Sequence, residues 1–288
     1  SRTLAWVDRT GREVAVAAPA RNYFYARVAP DGKRLSLDVR DQEEDIWIWD
    51  LARETMQRLT DKAGADQYGL WTPDAQRVVF SSAMSGHSDL FWHRPDGVGQ
   101  PEQITDTSAE KLTPFPNAIT RDGKQVILRA TVNGKNDLFI VDIGGDRKVK
   151  ALLATEHDER NAALSPDGRF MAFESDVSGK PEIYVRPFPD VNSRQWPVST
   201  AGGSEAVWAP NGTELFYVAA DGKLMAVPVE RGLDLAFGKP AVLFDAEPYF
   251  FGGAGRNYDV APDGKRFIMV KSPTTAAGGS VPMTVVLH

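Results

Sequence analysis

The chain of 288 residues is 42% hydrophobic and 25% charged, a composition that supplies a full apolar core and excludes the disordered and fibrous classes. Its 39 acidic against 33 basic residues leave a net charge of -6, the wrong sign for a protein that neutralises a phosphate backbone, so no nucleic-acid partner is expected. Cysteine is absent, which removes disulfides, thiolate nucleophiles and Cys-bound metal centres; nor is there a run of about 18 apolar residues to span a bilayer, and no membrane contact by this domain is expected.

The first predicted elements are two strands, Leu4–Asp8 and Glu13–Val16, around the turn Arg9-Thr10-Gly11. A tetrapeptide then recurs along the chain: Ala29-Pro30-Asp31-Gly32, Thr72-Pro73-Asp74-Ala75, Thr120-Arg121-Asp122-Gly123, Ser165-Pro166-Asp167-Gly168, Ala209-Pro210-Asn211-Gly212 and Ala261-Pro262-Asp263-Gly264. Pro presets the first corner, Asp or Asn tolerates the next, and Gly takes the positive φ that closes the turn. Ala75 and Arg121 depart from this pattern and weaken two turns. The copies stand 43, 48, 45, 44 and 52 residues apart. After each comes a β-rich run such as Arg34–Leu37, Val78–Phe80 or Phe170–Phe173, then a second such as Asp45–Asp50 or Asp137–Ile140, then a short third such as Gln57–Thr60. Four antiparallel strands in about 45 residues is the signature of a propeller blade. The expectation is an all-β, six-bladed propeller forming one domain over residues 1–288, with the N-terminal strands completing the sheet begun by Tyr258–Val260 and Lys265–Val270. A further predicted strand, Met283–Leu287, competes with Leu4–Asp8 for one slot and leaves a seventh blade open.

The phrase Ser165-Pro166-Asp167-Gly168-Arg169-Phe170-Met171-Ala172-Phe173-Glu174-Ser175, continued by Gly179–Pro189, resembles the WD-repeat-like blades of TolB-type propellers. Leu4–Arg9, Asp45–Arg53 and Thr284–Leu287 are similar to the propeller that follows the catalytic domain of bacterial eukaryotic-type serine/threonine protein kinases. That resemblance implies a sensor or scaffold, usually beyond a transmembrane segment and so outside the cytoplasm. No kinase motif lies in these residues: no Gly-rich phosphate loop, no His-Arg-Asp and no Asp-Phe-Gly.

Aligned on their turns, the innermost strands present an apolar column, Val28, Trp71, Ile119, Leu164, Trp208 and Val260, and a mostly small one, Ala26, Gly69, Asn117, Ala162, Ala206 and Tyr258. Strand alternation places both on core faces between blades. One residue further from the turn the pattern breaks into Tyr25, Tyr68, Pro116, Asn161, Glu205 and Asn257, preceded by Phe24, Gln67, Phe115, Arg160, Ser204 and Arg256. These two rings mix aromatics, amides and guanidinium groups at the expected channel mouth, the setting of a binding site with a few convergent polar groups. With Glu205 the one carboxylate among the twelve, a neutral or positive funnel is expected. The expected partner is a protein or peptide segment of acidic character, held by Arg160 and Arg256 between the walls of Phe24, Tyr25, Tyr68 and Phe115.

No catalytic residue and no cofactor is expected. The enzymatic alternative is a metal-dependent hydrolase of the lactonase type, with Glu205, Asn161, Asn257 and Asp259 as oxygen ligands. Nothing in the spacing fixes such a geometry, and Asp259 falls in a column otherwise held by Arg27, Leu70, Ala118, Ala163 and Val207. The acidic run Asp41–Asp45 lacks the Gly of a calcium loop, no Gly-x-Ser-x-Gly elbow occurs, and the four histidines show no metal-binding spacing. Trp47, Trp49, Trp71, Trp92 and Trp208 are expected to pack between blades.

Overall fold

A computed structural model describes residues 1–62, 64–231 and 235–273; the strand expected over Met283–Leu287 lies outside them. Six antiparallel sheets follow one another, as the repeat predicts. Blade 1 runs Tyr23–Val28, Arg34–Arg40, Glu44–Asp50 and Thr55–Arg58 from its inner to its outer strand. Blade 2 follows with Asp66–Trp71, Val78–Ser82, Asp89–His93 and Glu102–Gln103. Blade 3 comprises Phe115–Ile119, Gln125–Val132, Lys135–Asp142 and Val149–Leu153. Blade 4 is Glu159–Leu164, Phe170–Ser175, Glu182–Pro187 and Trp196–Pro197. Blade 5 starts with Gly203–Trp208 and Glu214–Ala219, then a long third strand, Lys223–Arg231. That strand has room for two partners: Ala241–Asp245 pairs with its first half and Leu235–Phe237 with its last three residues. This addition to the four-stranded unit accounts for much of the longest repeat interval.

Blade 6 is assembled from both ends of the repeat series. Tyr258–Val260 and Arg266–Lys271 supply its inner strands, and Thr3–Asp8 and Glu13–Ala15 its outer ones. Thr3–Asp8 pairs with all six residues of Arg266–Lys271.

The turns form for a local reason that recurs six times. The fourth residue of each tetrapeptide donates its N–H to the carbonyl of the first, from Gly32 to Ala29 (2.8 Å) through Gly264 to Ala261 (2.8 Å). The third residue's side-chain oxygen accepts the N–H two residues on, as Asp31 does from Lys33 and Asn211 from Thr213. The Asp or Asn therefore locks the corner through its own backbone as well as tolerating it.

Alternation in the flanking strands then builds six hydrophobic clusters, one between each blade and the next. Val79, Leu90 and Ile104 of blade 2 meet Val126, Leu128 and Val141 of blade 3, and the terminal blade meets blade 1 through Leu4, Trp6, Tyr23 and Leu37. Trp49, Trp71 and Trp208 are buried in these seams, with Trp47 and Trp92 against their edges. Trp71 and Trp208 also donate their Nε1–H to the carbonyls of Arg27 and Ala163 in the preceding blade. Among the described residues no helix is long and apolar enough to cross a membrane.

Candidate functional site

The ring Tyr25, Tyr68, Pro116, Asn161, Glu205 and Asn257 sits where the inner strands lose register. Bulges fall at Tyr23/Tyr25, Gln67/Leu70, Pro116/Ala118, Arg160/Ala163 and Ser204/Val207. Tyr68, Asn161 and Glu205 are left-handed there, with φ of 61°, 54° and 58°. A bulge frees backbone N–H groups from the ladder, and in the interior each needs a partner. The neighbouring blade provides one. At the bulges the N–H of Tyr68 donates to Asp38 Oδ2 (3.0 Å), that of Ala162 to Asn117 Oδ1 (3.2 Å) and that of Glu205 to Glu174; outside the bulges, the N–H of Asn257 donates to Glu205 Oε2 (2.6 Å) and that of Val28 to Asp259 Oδ2 (3.0 Å) across the same kind of seam. Blade 3 has Pro116 at this position, with no N–H to satisfy.

These contacts draw the blades together, and the channel at this level is filled. Tyr25, Asn161, Glu205 and Asn257 are buried, and a cavity of about 20 Å³ remains beside Tyr25, Tyr68, Asn117, Asn161, Gly255 and Arg256, room for about one water. The loop before Tyr258 caps it: Gly255 donates its N–H to the Tyr25 hydroxyl (3.2 Å), and a Cβ on Gly255 would lie 2.6 Å from the Tyr68 ring and 2.8 Å from that of Tyr25. A glycine is needed for this approach, and inner-strand alignment gives no hint of it.

The guanidinium groups expected to face a partner are already paired. Arg160 Nε lies 3.0 Å from Glu174 and 3.6 Å from Asp158, and Arg256 Nη2 3.0 Å from Asp259. Asp38 and Glu174 come from the second strands, outside the twelve inner-strand positions, so the balance of charge is closer to neutral than those positions alone suggest. Burial pushes the Glu205 carboxyl up to about 8, the N–H of Asn257 pulls the other way, and the charge of Glu174 adds to the rise. Asn161 donates its amide to Glu174 (2.6 Å) and Asn257 its amide to the Phe24 carbonyl (2.9 Å). Of the four oxygen ligands weighed for a metal, Glu205, Asn257 and Asp259 are thus engaged in fastening blades and Asn161 in a bond within blade 4, and no group of three or more His, Asp or Glu side chains placed to hold a metal occurs among the described residues.

An arc of rings runs across blades 6, 1, 2 and 3, with Tyr25 buried beneath its half-buried neighbours. Phe250 and Phe24 meet edge to face at 5.1 Å, Phe24 and Tyr25 at 6.2 Å, Tyr25 and Tyr68 stack at 4.6 Å, and Tyr68 and Phe115 lie 4.8 Å apart. Phe24, Tyr68, Phe115 and Phe250 are half-buried. Arginines interleave them: Arg2 stands over Phe250 (3.4 Å), Arg40 over Phe24 (4.2 Å) and Arg129 over Phe115 (4.6 Å). Gln67, also half-buried, donates its amide to Glu44. Phe250, Arg2, Arg40 and Arg129 escape inner-strand alignment because they come from other strands or from the loop before Tyr258.

No family model matches the chain. Among curated proteins it is similar to an uncharacterized protein of Agrobacterium fabrum, 31% identical over 90 residues, which is 31% of this chain and 30% of that one. It is also similar to the uncharacterized peptidase YuxL of Bacillus subtilis, 23% identical over 191 residues, 62% of this chain and 27% of that one. The matched part is thus less than a third of either relative's length. Among solved structures, a putative TolB from Agrobacterium tumefaciens superposes with a TM-score of 0.74 at 21% identity, over 94% of this chain and 98% of that one. The fold is TolB-like. TolB from Acinetobacter baumannii matches at 0.56 and 18% identity over 88% of this chain and 65% of that one. An oligogalacturonate lyase from Vibrio parahaemolyticus matches at 0.58 and 14% over 95% and 98%. A lyase shares this frame with the TolB structures, so the fold alone assigns no function.

Proposed function

We propose that the chain is a non-catalytic binding module that docks an acidic segment of a partner protein across the aromatic and arginine arc at the mouth of blades 6, 1, 2 and 3. The observation that carries this reading is the run of rings at 4.6–6.2 Å spacing, half-buried except for Tyr25 beneath them and interleaved with Arg2, Arg40 and Arg129. Rigid rings offer contact area at little entropic cost, and guanidinium groups attract carboxylates, a pairing typical of binding hot spots. The carboxylates of the channel support a non-catalytic reading, since backbone N–H groups and arginines take them up. The similarity of Asp45–Arg53 and Leu4–Arg9 to kinase-linked propellers supports a place in a larger signalling protein, as sensor or scaffold outside the cytoplasm.

The test is a phage-displayed library of acid-rich dodecapeptides selected against the chain, followed by titration of the recovered peptides. Phe24→Ala and Phe115→Ala should each weaken binding by about 1–3 kcal/mol, the scale of a truncated aromatic anchor. Arg121→Ala, on the exposed turn at the opposite end of blade 3's inner strand, should leave it unchanged. Peptides that bind both ring variants as tightly as the wild type, or that depend on Arg121, would overturn the reading.

A further inference from the structure

Arginines crowd this end of the ring, and most of their N–H groups are accounted for. Arg40 gives Nε and Nη2 to Asp38 (2.9 and 3.2 Å), and Arg160 and Arg256 are paired as above. Arg27 donates to the carbonyls of Ala26 (3.0 Å) and Arg256 (2.6 Å), and Arg2 to Asn22 Oδ1 (3.0 Å) and the Tyr23 carbonyl (2.7 Å). Arg129 is different. It is 4% exposed, no carboxylate lies within ion-pairing distance of it among the described residues, and its Nε is the one buried arginine nitrogen there without a hydrogen-bond partner.

The groups around Arg129 fix which of its buried edges lacks an acceptor. Nη1 donates to Asn136 Oδ1 at 2.6 Å, while Nη2 has only a 3.5 Å contact with the Tyr68 hydroxyl. The carboxylate nearest in the network, Asp158, is one residue removed, its Oδ1 accepting both the backbone and the side-chain amide of Asn136 (2.8 and 2.7 Å). Asn136 therefore orients the guanidinium and leaves the buried Nε–Nη2 side without an acceptor besides the distant Tyr68 hydroxyl. That side carries two parallel N–H groups, the fork that matches a carboxylate.

Fastening of the blades gives Arg129 no task that would explain its charge. Its position, seven residues after the turn Asp, holds Asp38 in blade 1 and Glu174 in blade 4, and both accept the bulge N–H of the next blade. After blade 3 that duty falls to Asn117. The ring faces of Phe115 (4.6 Å) and Tyr68 (5.8 Å) compensate part of the buried charge, yet a buried donor without an acceptor remains costly. An anion is what the position lacks.

We propose that the Nε–Nη2 edge of Arg129 is the carboxylate subsite of the rim. A side-chain or C-terminal carboxylate of the docked segment crosses the faces of Tyr68 and Phe115, displaces the long contact to the Tyr68 hydroxyl and accepts both N–H groups. This assignment rests on the binding reading above and moves the charged anchor from Arg160 and Arg256, which are already neutralised, to Arg129.

The experiment follows the arginine Nε–H resonances of the wild-type chain by NMR during titration with sodium acetate, with sodium chloride as the ionic-strength control. The Arg129 signal, assigned by its loss in Arg129→Lys, should move downfield and saturate with acetate alone, while that of Arg160 stays put. With the selected peptides, Arg129→Met should weaken binding about tenfold or more, and Arg129→Lys, which keeps charge without the fork, should restore only part of it. C-terminal amidation of the peptide, set against replacement of its acidic side chains by amides, tells which carboxylate is read. An Arg129 signal that neither acetate nor peptide moves overturns the subsite, even where Arg129→Met fails to fold. If Phe24→Ala and Phe115→Ala still weaken peptide binding in that case, the rim reading stands without the subsite; a saturable acetate shift with no peptide bound supports the subsite and sinks the rim reading.

Discussion

Glu205 of blade 5 is held between blades 4 and 6 by its left-handed backbone, its N–H to Glu174 and the Asn257 N–H on its Oε2. With its pKa raised to about 8 from an ordinary 4.5, the folded chain keeps a proton there that the unfolded chain loses across that window. Stability therefore falls as pH rises through it, by up to ~1.4 kcal/mol per pH unit from this one group, and levels off above the folded pKa. Glu205→Gln, which keeps an acceptor for Asn257 and cannot ionise, should lose less stability than the wild type between about pH 5 and pH 7.5. Urea unfolding at both pH values checks this; parallel losses in the two proteins would mean that Glu205 is ionised when folded. The sequence singled out Glu205 as the lone inner-ring carboxylate. Its burial could not be foreseen, because Glu174 and Asn257, which enclose it, belong to different blades.

At the scale of the element, the turn tetrapeptide controls each blade through one backbone angle. Five copies place Gly at the closing position, and the sixth places Ala75 there with φ of 56°, close to the 73° of Gly168. Ala75 is buried, and its N–H bonds the Thr72 carbonyl at 2.8 Å as a glycine's would, so the departure strains the turn without altering it. Gly168→Ala would meet no atom within 4 Å, which leaves only the left-handed penalty, about 1–2 kcal/mol, offset by the lower freedom of the unfolded chain. A net loss of about 0.5–1 kcal/mol is expected from urea unfolding, and a loss well above 2 kcal/mol would show that this turn does more than hold its angle. The turns were legible because their chemistry lies within six residues. The bulges at the other ends of the same strands were not, because their partners lie across a seam.

For the whole molecule, closure depends on Thr3–Asp8 filling the third place of blade 6, where Leu4, Trp6 and Val7 are buried. Arg9 adds a two-pronged contact to Glu214 of blade 5 (2.9 and 2.7 Å), half-exposed and so worth little. Removing residues 1–16 would strip those apolar side chains, each contributing roughly 1.5–3 kcal/mol, and bare the edge of Arg266–Lys271. For a chain of this size that is a fall in Tm on the order of 10 °C or more. Scanning calorimetry of the truncated chain tests it, and an unchanged transition would mean that blade 6 is stable with two strands.

The six-fold repeat of four-stranded units and the completion of the last sheet by the N-terminal hairpin were determined by the sequence alone, since turn residues and period-two alternation act over a few positions and repeat at a readable interval, whereas the slot contested by Met283–Leu287 left a seventh blade open and the fifth strand of blade 5 gave no such signal. The tertiary structure decided how the mouth is charged and how open it is. Arg160 acquires a carboxylate from the second strand of its blade and Arg256 one from the inner strand that follows it, Gly255 brings a loop onto Tyr25 and Tyr68, and Arg129 reaches the arc from outside the inner ring. The Arg256–Asp259 pair is local, three residues apart, but the approach of Gly255 to Tyr25 and Tyr68 and the place of Arg129 against Tyr68 depend on segments well apart in the chain: a strand's alternation says which face a side chain takes, and only the packing of one blade on the next says what that side chain meets.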